Sequence, residues 1–257
     1  MHTFVHFCMP TGKGFMSRRI GILLTSNDAS DFAKQHPDDG EKFRALLQPL
    51  RPGWIFDVIP VKDDVFPQGP EDYDGYIVTG SPASVNGPEP WIARLSQFIR
   101  ELHARRINLF GACFGHQAIA VALGGEVTRS SKGWGLGTAD THFDAFAPWM
   151  QPAHSKLTLY AAHEEQVTKL PVGAAVLGGD DFCPIGAYRI GDHVFATEYH
   201  PEMTPDFIAA LVEHLDGKLD RATIASARKS AKLPAQGGDF AEWIVNFLEY
   251  SARESAL

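Results

Sequence analysis

Short aliphatic runs, broken by polar turns and by stretches of helical spacing, dominate the first half of the chain. Residues 19–25 (Arg-Ile-Gly-Ile-Leu-Leu-Thr) read as a buried strand closed by Ser26-Asn27-Asp28. The polar residues 29–40, with Pro37 and Gly40, follow as a loop over the strand end. From 41 to 50 the apolar positions Phe43, Leu46, Leu47 and Leu50 predict a helix. Residues 54–61 and 73–78 are the second and third strands, and the third runs into Thr79-Gly-Ser-Pro-Ala-Ser-Val85, a loop with turn residues Gly80 and Pro82. Ile92, Leu95, Phe98, Ile99 and Leu102 share one face of an amphipathic helix over 91–102. A further strand, 107–110, stops at Gly111 ahead of a helix-like stretch, 117–123. Strands alternating with helices predict βαβ units and a parallel sheet, hence an α/β fold.

After Leu123-Gly-Gly125 the texture changes. Residues 127–129, 137–143, 157–162, 174–177, 185–190 and 194–199 are short strand candidates without long helices between them. They predict an antiparallel or mixed extension that returns at His200. Helices are expected at 207–215 and 222–230. A last amphipathic helix, 240–250, docks on the body behind a Pro234-Ala-Gln-Gly-Gly238 linker. The expected organisation is an extension over residues 1–18, with Met16 as an alternative start. A single domain then spans 19–257 and includes a C-terminal helical tail from about 218 to 257.

Composition narrows the function classes. No apolar stretch reaches the roughly 20 residues that span a bilayer. A formal net charge of −8 argues against a nucleic-acid surface. The three cysteines, Cys8, Cys113 and Cys183, are too scattered for a disulfide framework and fit a reducing cytoplasm. Residues 1–17 lack the charged and apolar regions of a signal peptide. His and Cys do not cluster with metal-ligand spacing, and no Gly-x-x-x-x-Gly-Lys-[Ser/Thr] occurs, so neither a metal nor a cofactor is expected.

The candidate chemistry starts at Gly111-Ala-Cys-Phe-Gly115, between the strand and the helix-like stretch. Gly-x-Cys-x-Gly is the cysteine form of a nucleophile elbow, whose tight turn needs small residues on either side. Cys113 then stands at a helix N-terminus, where N–H groups and the helix dipole favour a thiolate. A lone cysteine is otherwise more often a small core residue. A thiolate needs a base, and the base an orienting partner. Of eleven histidines, His200 follows a predicted strand and opens His200-Pro-Glu202, where Glu202 can hydrogen-bond the second ring nitrogen. By itself His-Pro-Glu is a weak signal; paired with the elbow it completes a Cys-His-Glu constellation. Oxyanion donors are expected from the Phe114 N–H and from the Gly80-Ser81 loop, although that loop can equally be an ordinary strand-to-helix turn.

In this order, Thr79-Gly-Ser-Pro-Ala-Ser-Val85, Gly111-Ala-Cys-Phe-Gly-His-Gln117 and Tyr199-His-Pro-Glu-Met203 resemble the class I, triad-type glutamine amidotransferase family, and most closely its stand-alone members. The resemblance covers roughly residues 19–215. It implies a flavodoxin-like fold with a mixed, mostly parallel sheet flanked by helices, a small antiparallel extension and C-terminal helices. It also implies Cys113 as nucleophile, His200 as base and acid, Glu202 as its orienter and a γ-glutamyl thioester. Gln117 and the backbone around 160–163 match positions that hold the glutamine; His163 is carried over with them, although it can equally cap a strand end. Two departures bear on the substrate: Ala162 stands where many relatives have Ser, and Glu198 where Gln is frequent. The implied partner is a small γ-glutamyl substrate, joined by a synthetase chain if the protein is a true amidotransferase. A glutaminase or amidotransferase component leads. A γ-glutamyl peptidase or γ-glutamyl-amine hydrolase is the alternative, and a non-catalytic regulatory or binding protein that keeps the fold is the third reading.

Overall fold

The computed structural model describes residues 17–250, so residues 1–16, with Cys8 and the alternative start at Met16, lie outside the described residues. The first half alternates β1 (Arg19–Leu23), α1 (Asp39–Leu47), β2 (Ile55–Ile59), β3 (Gly75–Val78), α2 (Pro90–Ala104), β4 (Asn108–Ala112) and α3 (Phe114–Ala122). Then come β5 (Glu126–Arg129), β6 (Gly135–Phe143), β7 (Lys156–His163), β8 (Glu165–Lys169), β9 (Ala174–Gly179), β10 (Ala187–Ile190) and β11 (Val194–Thr197). Helices α4 (Pro205–Leu215), α5 (Arg221–Ser230) and α6 (Gly237–Glu249) close the described chain.

Nine strands form one sheet in the order β2-β1-β3-β4-β11-β10-β9-β6-β7, and β5 with β8 forms a separate antiparallel pair. The pairs from β2 through β11 are parallel and the rest antiparallel, so only β10 and β6 run against the other strands. This is the mixed, mostly parallel α/β sheet expected. The antiparallel half curls back on itself: Tyr160 of β7 bridges to His200, three residues past the end of β11.

Period-two alternation explains how the central strands bury both faces. Ile20, Ile22, Ile77, Phe110 and Phe195 face a core built with α1 and α6, while Tyr76, Val78, Leu109, Val194 and Ala196 face α2 and α3. Phe240, Trp243, Ile244 and Phe247 of α6 are fully buried against the first of these faces. The helix therefore does more than dock at an edge. Asn108 Nδ2 donates to the Phe247 and Tyr250 carbonyls, both at 2.9 Å, and so caps the end of α6. The expected linker is itself fixed, since Gln236 N–H donates to Thr158 O at 2.7 Å.

Two differences from the sequence pattern have local reasons. Helix α1 begins at Asp39, inside the expected loop, because Asp38 and Glu41 form a capping box: Glu41 N–H donates to Asp38 Oδ1 and Asp38 N–H to Glu41 Oε2. Strand β8 falls where the pattern predicts none; only Gln166 and Val167 of its five residues are buried, so it shows little apolar alternation. Phe240 meets Phe110, Phe143, Phe195 and Trp243. Phe240→Ala is expected to destabilise the fold by about 3–5 kcal/mol, read as a lower urea midpoint at unchanged slope; a loss under about 1 kcal/mol would show that α6 is peripheral.

Candidate active site

Cys113 joins β4 to α3 with φ 49° and ψ −107°, a conformation that residues with a Cβ rarely adopt. Close packing holds it there. A Cβ on Gly111 would come within 2.7 Å of the Gly115 carbonyl group, and one on Gly115 would fall on the Val78 carbonyl. The two glycines thus let α3 start directly against β4 and β3. Cys113 N–H donates to Thr197 O of β11 at 2.9 Å, and Gln117 N–H donates to Cys113 O at 3.0 Å. Phe114, the first residue of α3, has an N–H that no intrahelical carbonyl can receive.

His200 is set by backbone on one side and a carboxylate on the other. Its N–H donates to Tyr160 O at 2.8 Å, and its Nδ1 lies 2.7 Å from Glu202 Oε1. With Glu202 ionised, Nδ1 carries the proton and Nε2 is left as the acceptor. Both side chains are buried. Burial alone would lower the imidazole, but Glu202 and Cys113 outweigh it and hold His200 well above its ordinary value. Burial pushes the Cys113 thiol up, against the pull of His200. A proton leaving the thiol therefore has a strengthened acceptor beside it.

The Gly80 loop closes the third side. A Cβ at Gly80 would lie 2.9 Å from His200 Cε1 and 3.8 Å from Cys113 Cβ, so its backbone rests on both side chains. Thr25 anchors the loop: its hydroxyl donates to Gly80 O at 2.9 Å, and Ser81 Oγ donates to Thr25 O at 2.9 Å. The Ser81 hydroxyl is thus committed to the loop. Cys113, His200, Gly80 and Ser81 line one cavity of about 540 Å³.

The family model for glutamine amidotransferase class-I matches residues 54–208, more than half of the chain. The chain belongs to that family. It is 29% identical over 231 residues to gamma-glutamyl peptidase 3 of Arabidopsis thaliana, covering 85% of this chain and 91% of that one. It is 32% identical over 154 residues to a glutamine-hydrolyzing GMP synthase component of Methanosarcina acetivorans, covering 58% of this chain and 73% of that one. Among solved structures, a glutamine amidotransferase of Thermotoga maritima superposes with a TM-score of 0.69 at 18% identity, covering 90% of this chain and 98% of that one. At that identity the last match shows the fold alone.

Within this amidotransferase-family fold, Gln117 and His163 are buried and do not line the cavity, whereas Ala162 does. Gln117 Nε2 donates to Glu165 O at 2.9 Å and to Glu198 Oε1 at 2.8 Å. Glu198 is fully buried, with His116 Nε2 3.6 Å from one oxygen and His163 Nδ1 3.8 Å from the other. Those spacings would suit ion pairs if every group were charged. Burial opposes it: His116 is pushed down to about 3, with His163 adding to the fall, and burial pushes His163 down to about 4. Burial also pushes the Glu198 carboxyl well above its ordinary value, against the Gln117 hydrogen bond. Burial thus works against charge on all three groups behind the cavity wall, and Glu198 holds its proton more tightly than an exposed carboxyl.

Sequence reasoning missed Thr25, Asp39 and Lys42. Lys42 Nζ pairs with Asp39 Oδ1 at 2.8 Å, and burial raises the Asp39 carboxyl, with nearby Glu202 adding to the shift. The capping box was a readable signal for the start of α1; the Thr25–Thr79 contact, between residues 54 apart, left none.

The raised Glu198 carboxyl carries a sign. The folded chain keeps a proton that the unfolded chain releases above roughly pH 4.5, so this group lowers stability as pH rises. Glu198→Gln should therefore gain stability relative to the parent between pH 5 and 8, by up to about 1.4 kcal/mol per pH unit. Urea unfolding at both pH values checks this; an equal or larger gain at pH 5 would contradict a raised Glu198 carboxyl.

Proposed function

We propose that this protein hydrolyses γ-glutamyl amides through a γ-glutamyl thioester on Cys113, and that its leaving group is an amine larger than ammonia. The observation that carries the reading is the convergence of Cys113, the His200–Glu202 pair and the Gly80 backbone on one cavity of about 540 Å³. Similarity to gamma-glutamyl peptidase 3 over 85% of the chain supports the larger leaving group.

In this reading His200 Nε2 takes the Cys113 proton as sulfur attacks the γ-carbonyl carbon. The oxyanion forms against the Phe114 N–H and an N–H of the Gly80-Ser81 loop. When the C–N bond breaks, the imidazolium returns its proton to the departing amine. His200 then deprotonates a water that attacks the thioester, glutamate leaves, and the proton goes back to sulfur. Glu202 fixes the tautomer and stabilises the imidazolium. Gln117 and His163 act from behind the wall, shaping the γ-glutamyl end through Glu165 and Glu198. No cofactor is needed for either half of the reaction.

A second reading, a glutaminase chain that delivers ammonia to a separate synthetase chain, draws on the similarity to the GMP synthase component. Turnover of glutamine against γ-glutamyl dipeptides separates the two.

Cys113→Ala is expected to abolish glutamate release from every γ-glutamyl substrate. Glutamate release that survives the substitution would remove Cys113 as the nucleophile. Glu202→Gln should lower kcat by about 10²-fold or more. Because Glu202 raises His200 and the base must be unprotonated to take the Cys113 proton, loss of Glu202 should also move the acidic limb of kcat/KM to lower pH; an unmoved limb would mean Glu202 does not act on His200.

A further inference from the structure

The cavity that reaches Cys113 and His200 continues well past them. Its lining runs on to Phe32 and His36, around the short turn Ala33–Gln35, and to Phe207 and His214 of α4. These four rings form one cluster. Phe32 stacks on His214 with centroids 4.4 Å apart and planes at 20°, and meets His36 at 4.6 Å and Phe207 at 5.8 Å. His36 meets Phe207 edge-on at 5.2 Å, and Lys42 Nζ sits 3.5 Å from the Phe207 ring centroid. The polar loop over the end of β1 is thus joined to α4 by aromatic contacts, and the joined rings form one wall of the cavity.

The position of this arm relative to the reacting atoms gives it a role. Helix α4 starts at Pro205, three residues after Glu202, so its lining side chains lead away from the imidazole. Asp39, which pairs with Lys42 under Phe207, is close enough to Glu202 and His200 to feel both charges. The aromatic arm therefore lies on the His200 side of Cys113. In the proposed reaction the departing amine takes its proton from His200, so the leaving group must lie on that side too. Ammonia would occupy about 30 Å³, a water-sized share of this space. The outer end carries the cation of Lys218, with Asp28 also in the lining. Lys218 Nζ lies 2.7 Å from His214 Nε2, and Lys218 makes no ion pair among the described residues, although Asp28 feels its charge from farther away.

We propose that this arm is a leaving-group subsite for an aromatic α-amino acid, the ring lying in the cavity against the face that Phe32, His36 and Phe207 present to it and the carboxylate turned to His214 and Lys218. The inference rests on the γ-glutamyl hydrolase reading and deepens it: the substrate class becomes γ-glutamyl dipeptides with an aromatic second residue.

The test compares γ-glutamyl-phenylalanine, γ-glutamyl-glycine and glutamine on the full chain. Burying the ring should raise kcat/KM for the phenylalanine substrate at least about tenfold over the glycine one. Phe32→Ala, and independently Phe207→Ala, should bring that ratio below about threefold; Lys218→Met should raise KM for both dipeptides more than for glutamine. Calorimetry on Cys113→Ala should show the same preference for the phenylalanine dipeptide in binding alone. Hydrolysis without a preference, or a ratio unmoved by both aromatic variants, overturns the subsite and leaves the hydrolase reading standing. A binding preference without hydrolysis by the parent protein supports the subsite and overturns the reaction. Neither binding nor hydrolysis of any of the three overturns both.

Discussion

Ala112 stands opposite Thr197 in the parallel pairing of β4 with β11, and the site depends on that register. Both strands end at the same level of the sheet. The Cys113 N–H then reaches the Thr197 carbonyl, and His200, three residues on, is fixed by the Tyr160 carbonyl of the returning β7. A slip of one residue would turn Phe195 and Phe110 to opposite faces and move the His200 turn away from the elbow. Because both faces of these strands are buried, the core enforces the register to within one residue. Helix α6 belongs to the same constraint, since Phe240 and Phe247 cover Phe195 while Asn108, the first residue of β4, caps the helix end.

Burial that fixes the geometry also sorts the charges. In a medium of low effective dielectric an unpaired ion is costly and a paired one is held tightly. Burial works against charge on His116, His163 and Glu198, which stand with Gln117 as a buried polar wall. His200 keeps its proton affinity because Glu202 lies 2.7 Å away. The contrast between Glu198 and Glu202, four residues apart, is one of partners. The first faces two histidines emptied of charge by burial, the second an imidazole that can hold it.

Much of this was legible in the chain because it rests on local pattern. Buried parallel strands announce themselves as aliphatic runs, and Gly-x-Cys-x-Gly follows from the sterics of one turn, so the α/β sheet and the apex position of Cys113 could be read directly. The pairing of Cys113 with His200 could be anticipated from the strand before His200, although 87 positions separate them. What stayed hidden depends on contacts with no periodic trace. Strand β8 carries charged residues at both ends, Glu165 and Lys169, and its partner is β5 rather than the main sheet. Thr25 looks like a strand end until Thr79 and Gly80 are placed against it. Residues 29–40 read as a polar loop because Phe32 and His36 acquire meaning only when Phe207 and His214 arrive from the far end of the chain.

That last case bears on how one fold can keep a constant site beside a variable cavity. The reacting atoms are held by strand ends and a helix start, elements locked by two buried faces, and these tolerate little change. The volume beyond His200 is bounded by a loop after β1 and by α4, which touch each other through side chains rather than through sheet hydrogen bonds. Loops of this kind accept substitution and insertion more readily than the strands they follow. In the proposed reaction the rigid part of the molecule therefore holds the electrophile, and the variable part bounds the leaving amine. In this chain four aromatic or imidazole rings, Phe32, His36, Phe207 and His214, line the variable part and tie the loop to the helix.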